Sequence, residues 1–445
     1  MKEYSQATTQ IKGPLVIVEQ EQPASYGELC TIQYAGKKVY GQVLVTSKTH
    51  AVIQLFESSQ GINRDAKIEF TGKPAQIGLS KDMLGGIFTG MGTPINKQYA
   101  AEEYRDINAS AINPVMRMPP DDFVQTGISA IDGMSTLVRG QKLPIFSEAG
   151  LPHNELAARI VQEADMKGDF AVVFAGLGIT NEEADYFIEQ FENSNTLQRT
   201  VVFLNKASDP SVERIITPRI ALTTAEYLAY TCDMQVLVVL TDMTSYCESL
   251  REVSNAREEV PGRRGYPGYL YSDLAAQYER AGVIKGKKGS ITQLPIITMP
   301  QGDKTHPVPD LTGYITEGQV VLEKGLHAKG IYPPINPLPS LSRLMKNGIG
   351  DGKTREDHSG VSDQLYASYA YAQELRQLIS VIGEGGLQEQ DRQYLRFADA
   401  FEKQFLNQKQ GREIKQTLDI AWELFRMLPK QELKKLKPKH VEEYL

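Results

Sequence analysis

Apolar and polar positions change their rhythm twice along the chain, near residues 75 and 350. In the first stretch, the short segments Pro14–Glu19, Leu29–Tyr34, Val39–Val45 and Ala51–Phe56 are separated by Gly, Lys and Ser turns. This spacing predicts a small β-barrel or sandwich over residues 1–75, leaving through a linker around Gly72–Gly78. In the second, Phe170–Ala175, Val201–Leu204, Val236–Leu240 and Leu294–Thr298 are apolar runs without alternation. Such runs suit strands buried on both faces of a mostly parallel sheet. Polar segments with helical spacing, Glu182–Glu192 and Thr223–Cys232, lie between them. Strand and helix in turn predict an α/β domain over residues 76–350, of the layout that holds nucleotides. After Gly352 the pattern is helical. Tyr394, Phe397, Phe401 and Phe405 share one helix face, as do Leu418, Trp422, Phe425 and Leu428. They predict the core of a helical bundle over residues 351–445 rather than an aromatic ligand site. The basic string KKLKPKH from Lys434 reads as a solvated helix end, with a partner contact as the alternative.

Bulk properties remove several classes of function. A length of 445 residues suffices for two or three domains. The net charge of −7 runs against a general nucleic-acid binder, whose footprint is basic. No run of 18 apolar residues exists to span a membrane, and the leader MKEYSQATTQ is too polar for a secretory signal. The three cysteines, Cys30, Cys232 and Cys247, include no C-x-x-C pair and read as reduced core thiols. The six histidines are scattered, so no metal centre is expected.

Residues 142–160, KLPIFSEAGLPHNELAARI, have the layout of a phosphate-binding loop without its working residues. Such a loop, G-x-x-x-x-G-K-[ST], needs glycines for backbone contact, a Lys for phosphate and a hydroxyl for Mg²⁺. Here Ser147 stands at the first glycine, Pro152 at the second, His153 at the lysine and Asn154 at the hydroxyl. Gly150 is the one glycine left inside the loop, and Pro152 removes a backbone donor. Glu148 adds negative charge where an anion would sit. Asp242 closes the run Val236–Asp242 in the manner of a Walker B carboxylate. Without a loop hydroxyl it reads as a structural relic bonded to nearby backbone. The string Gly348–Thr354 ends in G-K-T, but Asn347 stands where its first glycine belongs, so it reads as a polar connection. His153 and His306 have no second ligand at helical spacing and read as satisfied structural histidines.

Several long strings resemble one family. Pro333–Ser342, PPINPLPSLS, is similar to the signature of rotary ATPase hexamer subunits. Gly262–Ala275, Asp303–Gln319 and Gln125–Ser147 resemble the B subunit of V-type and archaeal A-type ATPases, over nearly the whole chain. The resemblance implies a multidomain α/β fold: an N-terminal β-barrel, a central RecA-like domain and a C-terminal helical domain. It implies three such chains alternating with three catalytic A subunits around a central rotor shaft, with a peripheral stalk. The head would lie on the cytoplasmic face of a membrane sector that moves protons or sodium ions, the chain touching the membrane only through the complex.

The altered loop then distinguishes relatives, since the catalytic subunits keep an intact G-K-[ST] and the B subunit does not. Aligning Phe174–Glu182 on the catalytic G-E-R-G-N-E string puts Gly178 at the water-activating carboxylate and Ile179 at its arginine. Glycine is no general base. By resemblance Arg343, directly after Ser340-Leu341-Ser342, is an arginine finger for Mg-ATP held mainly by the neighbouring A subunit. The arginines of Arg263-Arg264-Gly-Tyr-Pro-Gly268 would face the shaft or an adjacent subunit. The expectation is a non-catalytic, regulatory and structural subunit, without a cofactor of its own, that passes conformational change to the rotor through its C-terminal helices. The alternatives are a self-sufficient hexameric ATPase with an atypical nucleotide site, and an actin-binding scaffold.

Overall fold

The computed structural model describes residues 2–4, 8–20, 24–56, 59–63, 66–165, 168–383 and 386–445, so part of the leader falls outside the described residues. The chain forms two compact units that interleave along the sequence. One contains Met1–Ile112, Ala171–Cys232 and Val238–Arg280; the other contains Asn113–Phe170, Asp233–Leu237 and Ala281–Leu445.

In the first unit, the alternating segments near the N-terminus form a seven-stranded antiparallel sheet. Its order is Lys2–Tyr4, Lys67–Pro74, Glu28–Tyr34, Lys37–Thr46, His50–Leu55, Leu15–Glu19 and Thr8–Lys12. One face of each of the five inner strands goes inside: Val16, Val18, Cys30, Ile32, Val39, Val43, Ile53, Leu55, Ile68 and Phe70 form the barrel core. Gly41 lies where a Cβ would meet Ile53 Cγ2 at 2.7 Å and the Gln54 carbonyl at 2.9 Å, so only glycine lets these strands approach. Gly72–Gly78, expected as a linker, is mostly strand. Gly72 lies within Lys67–Pro74, and Gln76–Leu79 pairs antiparallel with Glu103–Asp106.

The α/β part of the same unit has strand order Ile87–Thr89, Thr200–Lys206 and Phe170–Ile179, all parallel. Val172–Ala175, Val201–Phe203 and Val236–Leu240 are buried almost completely, which is why the sequence shows continuous apolar runs there. Thr180 caps the helix Asn181–Asn193 in a reciprocal box with Glu183. The helix expected at Thr223–Cys232 starts twelve residues earlier, spanning Ser211–Tyr230 with Pro218 inside it.

In the second unit, the strand Ile145–Ser147 runs parallel to Ser290–Thr298 on one side and to Gly318–Leu322 on the other. The signature residues form the strand Ile335–Ser342, antiparallel to Gly318–Leu322 at the end of the sheet order. Pro337 and Pro339 are tolerated there because an edge strand needs fewer ladder donors.

The C-terminal helices His358–Ile382, Glu389–Ala400 and Ile414–Phe425 bury the aromatic faces read from the sequence. Phe397, Phe401 and Phe405 stack in line, with centroids 6.1 and 5.1 Å apart, and Phe397 meets Phe425 at 6.4 Å. Arg159, buried on the helix His153–Glu163, donates to the Gln408 carbonyl at 2.7 Å and ties that helix to this bundle. The tail departs from a solvated helix end. Lys434, Lys435, Lys437 and Lys439 are exposed, but Leu433, Leu436 and His440 are buried and Tyr444 stacks on Trp422. Cys30 and Cys247 are buried, Cys232 is half-buried, and all three are free thiols. No helix among the described residues is long and apolar enough to cross a membrane.

The G-K-T string closes as a turn. Thr354 N donates to the Gly350 carbonyl at 2.9 Å, and the Thr354 hydroxyl accepts from Gly350 N at 2.9 Å and meets His358 Nδ1 at 3.1 Å. The fully buried His358 also reaches the Gly133 carbonyl at 3.2 Å, and its burial pushes the imidazole down to about 4. An unfolded histidine titrates near its ordinary value of about 6.5. The stability tied to neutral His358 is therefore complete above that value. It is lost as pH falls towards 4, by roughly 3 kcal/mol in all. Denaturant unfolding of the isolated chain at pH 7 and pH 4.5 checks this: His358→Gln is expected to flatten the pH dependence over that window. An unchanged slope would refute the assignment.

Candidate functional site

The phosphate-loop frame is present in the second unit. The strand Ile145–Ser147 delivers the chain to a loop over 148–152, and the helix His153–Glu163 follows. The helix is fixed from its inner face, where Leu156, Ala157, Ala158, Ile160 and Val161 are buried. Each large apolar side chain there contributes on the order of 1.5–3 kcal/mol by leaving water. Nothing in that support requires a phosphate.

The loop bonds to itself. His153 folds back so that Nδ1 lies 3.2 Å from the Ser147 hydroxyl and 3.0 Å from the Leu151 carbonyl. A carbonyl only accepts, so the proton of this contact sits on Nδ1. The Ser147 hydroxyl in turn donates to the Glu148 carbonyl at 3.3 Å. The backbone amides follow suit: Leu151 N donates to the Glu148 carbonyl at 3.1 Å and His153 N to the Leu151 carbonyl at 2.8 Å. Pro152, at the helix N-cap, has no N–H to offer. Two of the loop amides are thus turned to carbonyls of the loop itself.

The loop also carries its own anion. The Glu148 carboxylate pairs with Lys324 Nζ at 2.8 Å and lies against Gly302, where a Cβ would meet it at 2.9 Å. Gly150 holds φ +85° with open space where a side chain would project, and Asn154 is half-buried in the first helical turn. Of the predicted loop residues, the structure therefore brings Ser147 and His153 together. It leaves Gly150 as the exposed tip.

Asp242 belongs to the first unit. Its carboxylate accepts from Thr244 N at 2.8 Å and caps the helix Met243–Ala256, a backbone bond of the kind expected. Gly178 lies near the end of the strand Phe170–Ile179 at φ +69°. An added Cβ would meet Arg214 Nε at 2.7 Å, its Cζ at 2.9 Å and Ser245 Cβ at 3.2 Å. Arg214 had not been singled out from the sequence. Its guanidinium occupies the ground beside Gly178, bonding Asn205 Oδ1 at 2.8 Å and the Lys206 carbonyl at 3.1 Å. Burial lowers its pKa, and Glu252, Asp209 and Glu213 work in the opposite direction.

Arg343 follows the strand Ile335–Ser342 in the second unit. Its backbone N donates to the Glu317 carbonyl at 2.9 Å and one guanidinium nitrogen to the Thr316 carbonyl at 3.2 Å. The side chain is exposed. Gly262–Tyr266 is a tight loop closed by Gly262 N to the Tyr266 carbonyl at 2.7 Å, with Arg263 and Arg264 exposed on it. His306 is buried and caps the helix Pro307–Ile315, as a structural histidine would.

Gly178 yields a test. Gly178→Ala is expected to destabilise the chain by about 1–3 kcal/mol, from left-handed backbone strain together with the collision at Arg214. Gly150→Ala has the same backbone sign but no collision, so thermal unfolding should show the smaller loss. Equal losses would contradict the packing role given to Arg214.

Comparison with known proteins agrees with these three parts. Residues 8–72 match the ATP synthase alpha/beta family beta-barrel domain, and residues 127–342 match that family's nucleotide-binding domain. Residues 347–445 match the C-terminal domain of V and A type ATP synthase. Among solved structures, a unique ATP synthase subunit NeqB from Nanoarcheaum equitans is 40% identical, with TM-score 0.74. The alignment covers 94% of this chain and 100% of that one. An N-terminal β-barrel, a central nucleotide-binding α/β domain with parallel strands and a C-terminal helical domain, matched in sequence and in structure, place this chain among the V/A-type ATP synthase subunits of the alpha/beta family.

Proposed function

We propose that this chain is the non-catalytic B subunit of a V/A-type rotary ATPase head. Three copies alternate with three catalytic A subunits, around a central shaft and beside a peripheral stalk. The assembly couples ATP hydrolysis or synthesis to proton or sodium transport. The observation that carries this reading is the self-bonded loop: His153 turned back onto Ser147 and Leu151, with the Glu148 carboxylate beside it. In a loop so arranged the amides of Leu151 and His153 are already bonded, and a carboxylate lies where a triphosphate would bring its charge.

Arg343 is the residue through which the chain acts on chemistry. Its anchored backbone and exposed guanidinium, with a single carbonyl tether, suit an arginine finger that meets Mg-ATP held by the A subunit. Developing charge on a transferred phosphoryl group is met by the planar fork through parallel hydrogen bonds. A finger of this kind contributes about 10³–10⁵ in rate, or about 4–7 kcal/mol of barrier.

Two measurements check the proposal. Calorimetric titration of the isolated chain with Mg-ATP is expected to give no binding tighter than about millimolar, a free energy near −4 kcal/mol. Micromolar, Mg²⁺-dependent binding would instead make the chain a nucleotide sensor or an enzyme. In the assembled head, Arg343→Ala is expected to cut turnover by about 10³–10⁵ while assembly survives. Retained turnover would sink the finger assignment.

A further inference from the structure

Just before the loop strand lies a polar cluster that the reading above does not use, with Gln141 and Lys142 buried and Glu317 half-buried. Lys142, 3% exposed, pairs through Nζ with Glu317 Oε1 at 2.5 Å, and its backbone N donates to Glu317 Oε2 at 2.9 Å. Glu317 N donates back to the Lys142 carbonyl at 3.1 Å. One carboxylate and one peptide thus grip the same residue from both sides. The Glu317 carbonyl accepts two more bonds, from Arg343 N at 2.9 Å and from Gln141 Nε2 at 3.0 Å. Gln141, fully buried, also donates to the Ser342 hydroxyl at 2.9 Å. Next to Glu317, Gly318 approaches the Ile335–Ser342 strand so closely that a Cβ would lie 2.3 Å from the Leu341 carbonyl. The Thr316 carbonyl, on the other side of Glu317, is the tether of the Arg343 guanidinium.

This is more than an ion pair needs for its own satisfaction. A surface arginine could be displayed on any loop. Here the carbonyls of Thr316 and Glu317 hold both ends of Arg343, and the carboxylate of Glu317 fixes that segment to Lys142, just before the strand entering the loop. We infer that Glu317, clamped by Lys142, is a positioning residue that sets where the Arg343 guanidinium stands, so that a shift at the base of the loop strand moves the finger with it. The inference rests on the finger reading proposed above. Glu317 and Lys142 touch no substrate. They act through Arg343.

The test compares variants in the assembled ATPase head. Glu317→Gln keeps the shape but removes the charge that grips Lys142. It is expected to lower kcat by about 10- to 100-fold, the scale of a misplaced catalytic group. KM for Mg-ATP should stay within about two-fold, because a finger is used in the transition state rather than in binding. Lys142→Met should reproduce the loss and Lys142→Arg should restore most of the turnover. Combined with Arg343→Ala, Glu317→Gln should add no further loss, because the group it positions is already gone. A purely structural role would instead lower thermal stability and multiply the two losses, which would overturn the inference. So would a Glu317→Gln head with unchanged kcat while Arg343→Ala abolishes turnover. If Arg343→Ala itself leaves turnover intact, the finger reading fails and this one with it. Should Glu317→Gln fail to assemble, the contrast between Lys142→Arg and Lys142→Met decides alone: equal turnover in both would overturn the inference.

Discussion

A backbone N–H that has given its proton to a carbonyl has little left for a phosphate, and this single constraint organises the centre of the second unit. A phosphate loop works because its amides converge on an open space and wait for an anion. Here the amides of Leu151 and His153 point inward to carbonyls of their own loop, Pro152 has none, and the imidazole of His153 lies against Ser147. Each of these bonds contributes only about 1 kcal/mol net. Together they remove the need for a ligand to satisfy the turn. The negative charge of Glu148, held by Lys324, adds repulsion to the lost donors.

The same accounting at the base of the strand gives a different result. Glu317 and Gln141 spend their polar groups on fixing a peptide, and that peptide presents Arg343 outward. A buried charge such as Lys142 is costly unless it is paired and hydrogen-bonded, and its pair with the half-buried Glu317 is weak evidence of stability for its own sake. Geometry is the better account of it. The pair, two backbone bonds and the close approach at Gly318 leave the 316–318 segment little freedom to drift from the Ile335–Ser342 strand. The loop has thus lost its donors to itself, while the neighbouring strand end keeps a guanidinium in reach of solvent.

How much of this was legible depended on range. Strands such as Val236–Leu240 could be read because burial on both faces writes an uninterrupted apolar run, and the aromatic faces at Phe397–Phe405 because helical spacing repeats. The loss of the phosphate residues was legible for the same local reason, since each missing group has a fixed place in a short motif. Local pattern failed where a turn residue sits inside a strand, as at Gly72, or where two buried positions are spread among lysines, as Leu436 and His440 are. It also gave no sign that Pro333–Ser342 contains a strand, because prolines argue against one except at a sheet edge. Partners far apart in sequence were out of reach entirely. Nothing near Gly178 announces Arg214, and nothing near Lys142 announces Glu317.

That division explains why the frame of a phosphate loop can persist without the residues of its motif. In the second unit that frame rests on the inner face of the helix His153–Glu163, where Leu156, Ala157, Ala158, Ile160 and Val161 are apolar and indifferent to phosphate. An empty glycine-rich loop would leave amides unpaired and a flexible turn to order, both unfavourable without a ligand. Replacing glycine and lysine by Pro152 and His153 stiffens the turn and satisfies it internally. Gln141 and Lys142, which hold Glu317, lie just before the strand Ile145–Ser147 that enters the loop.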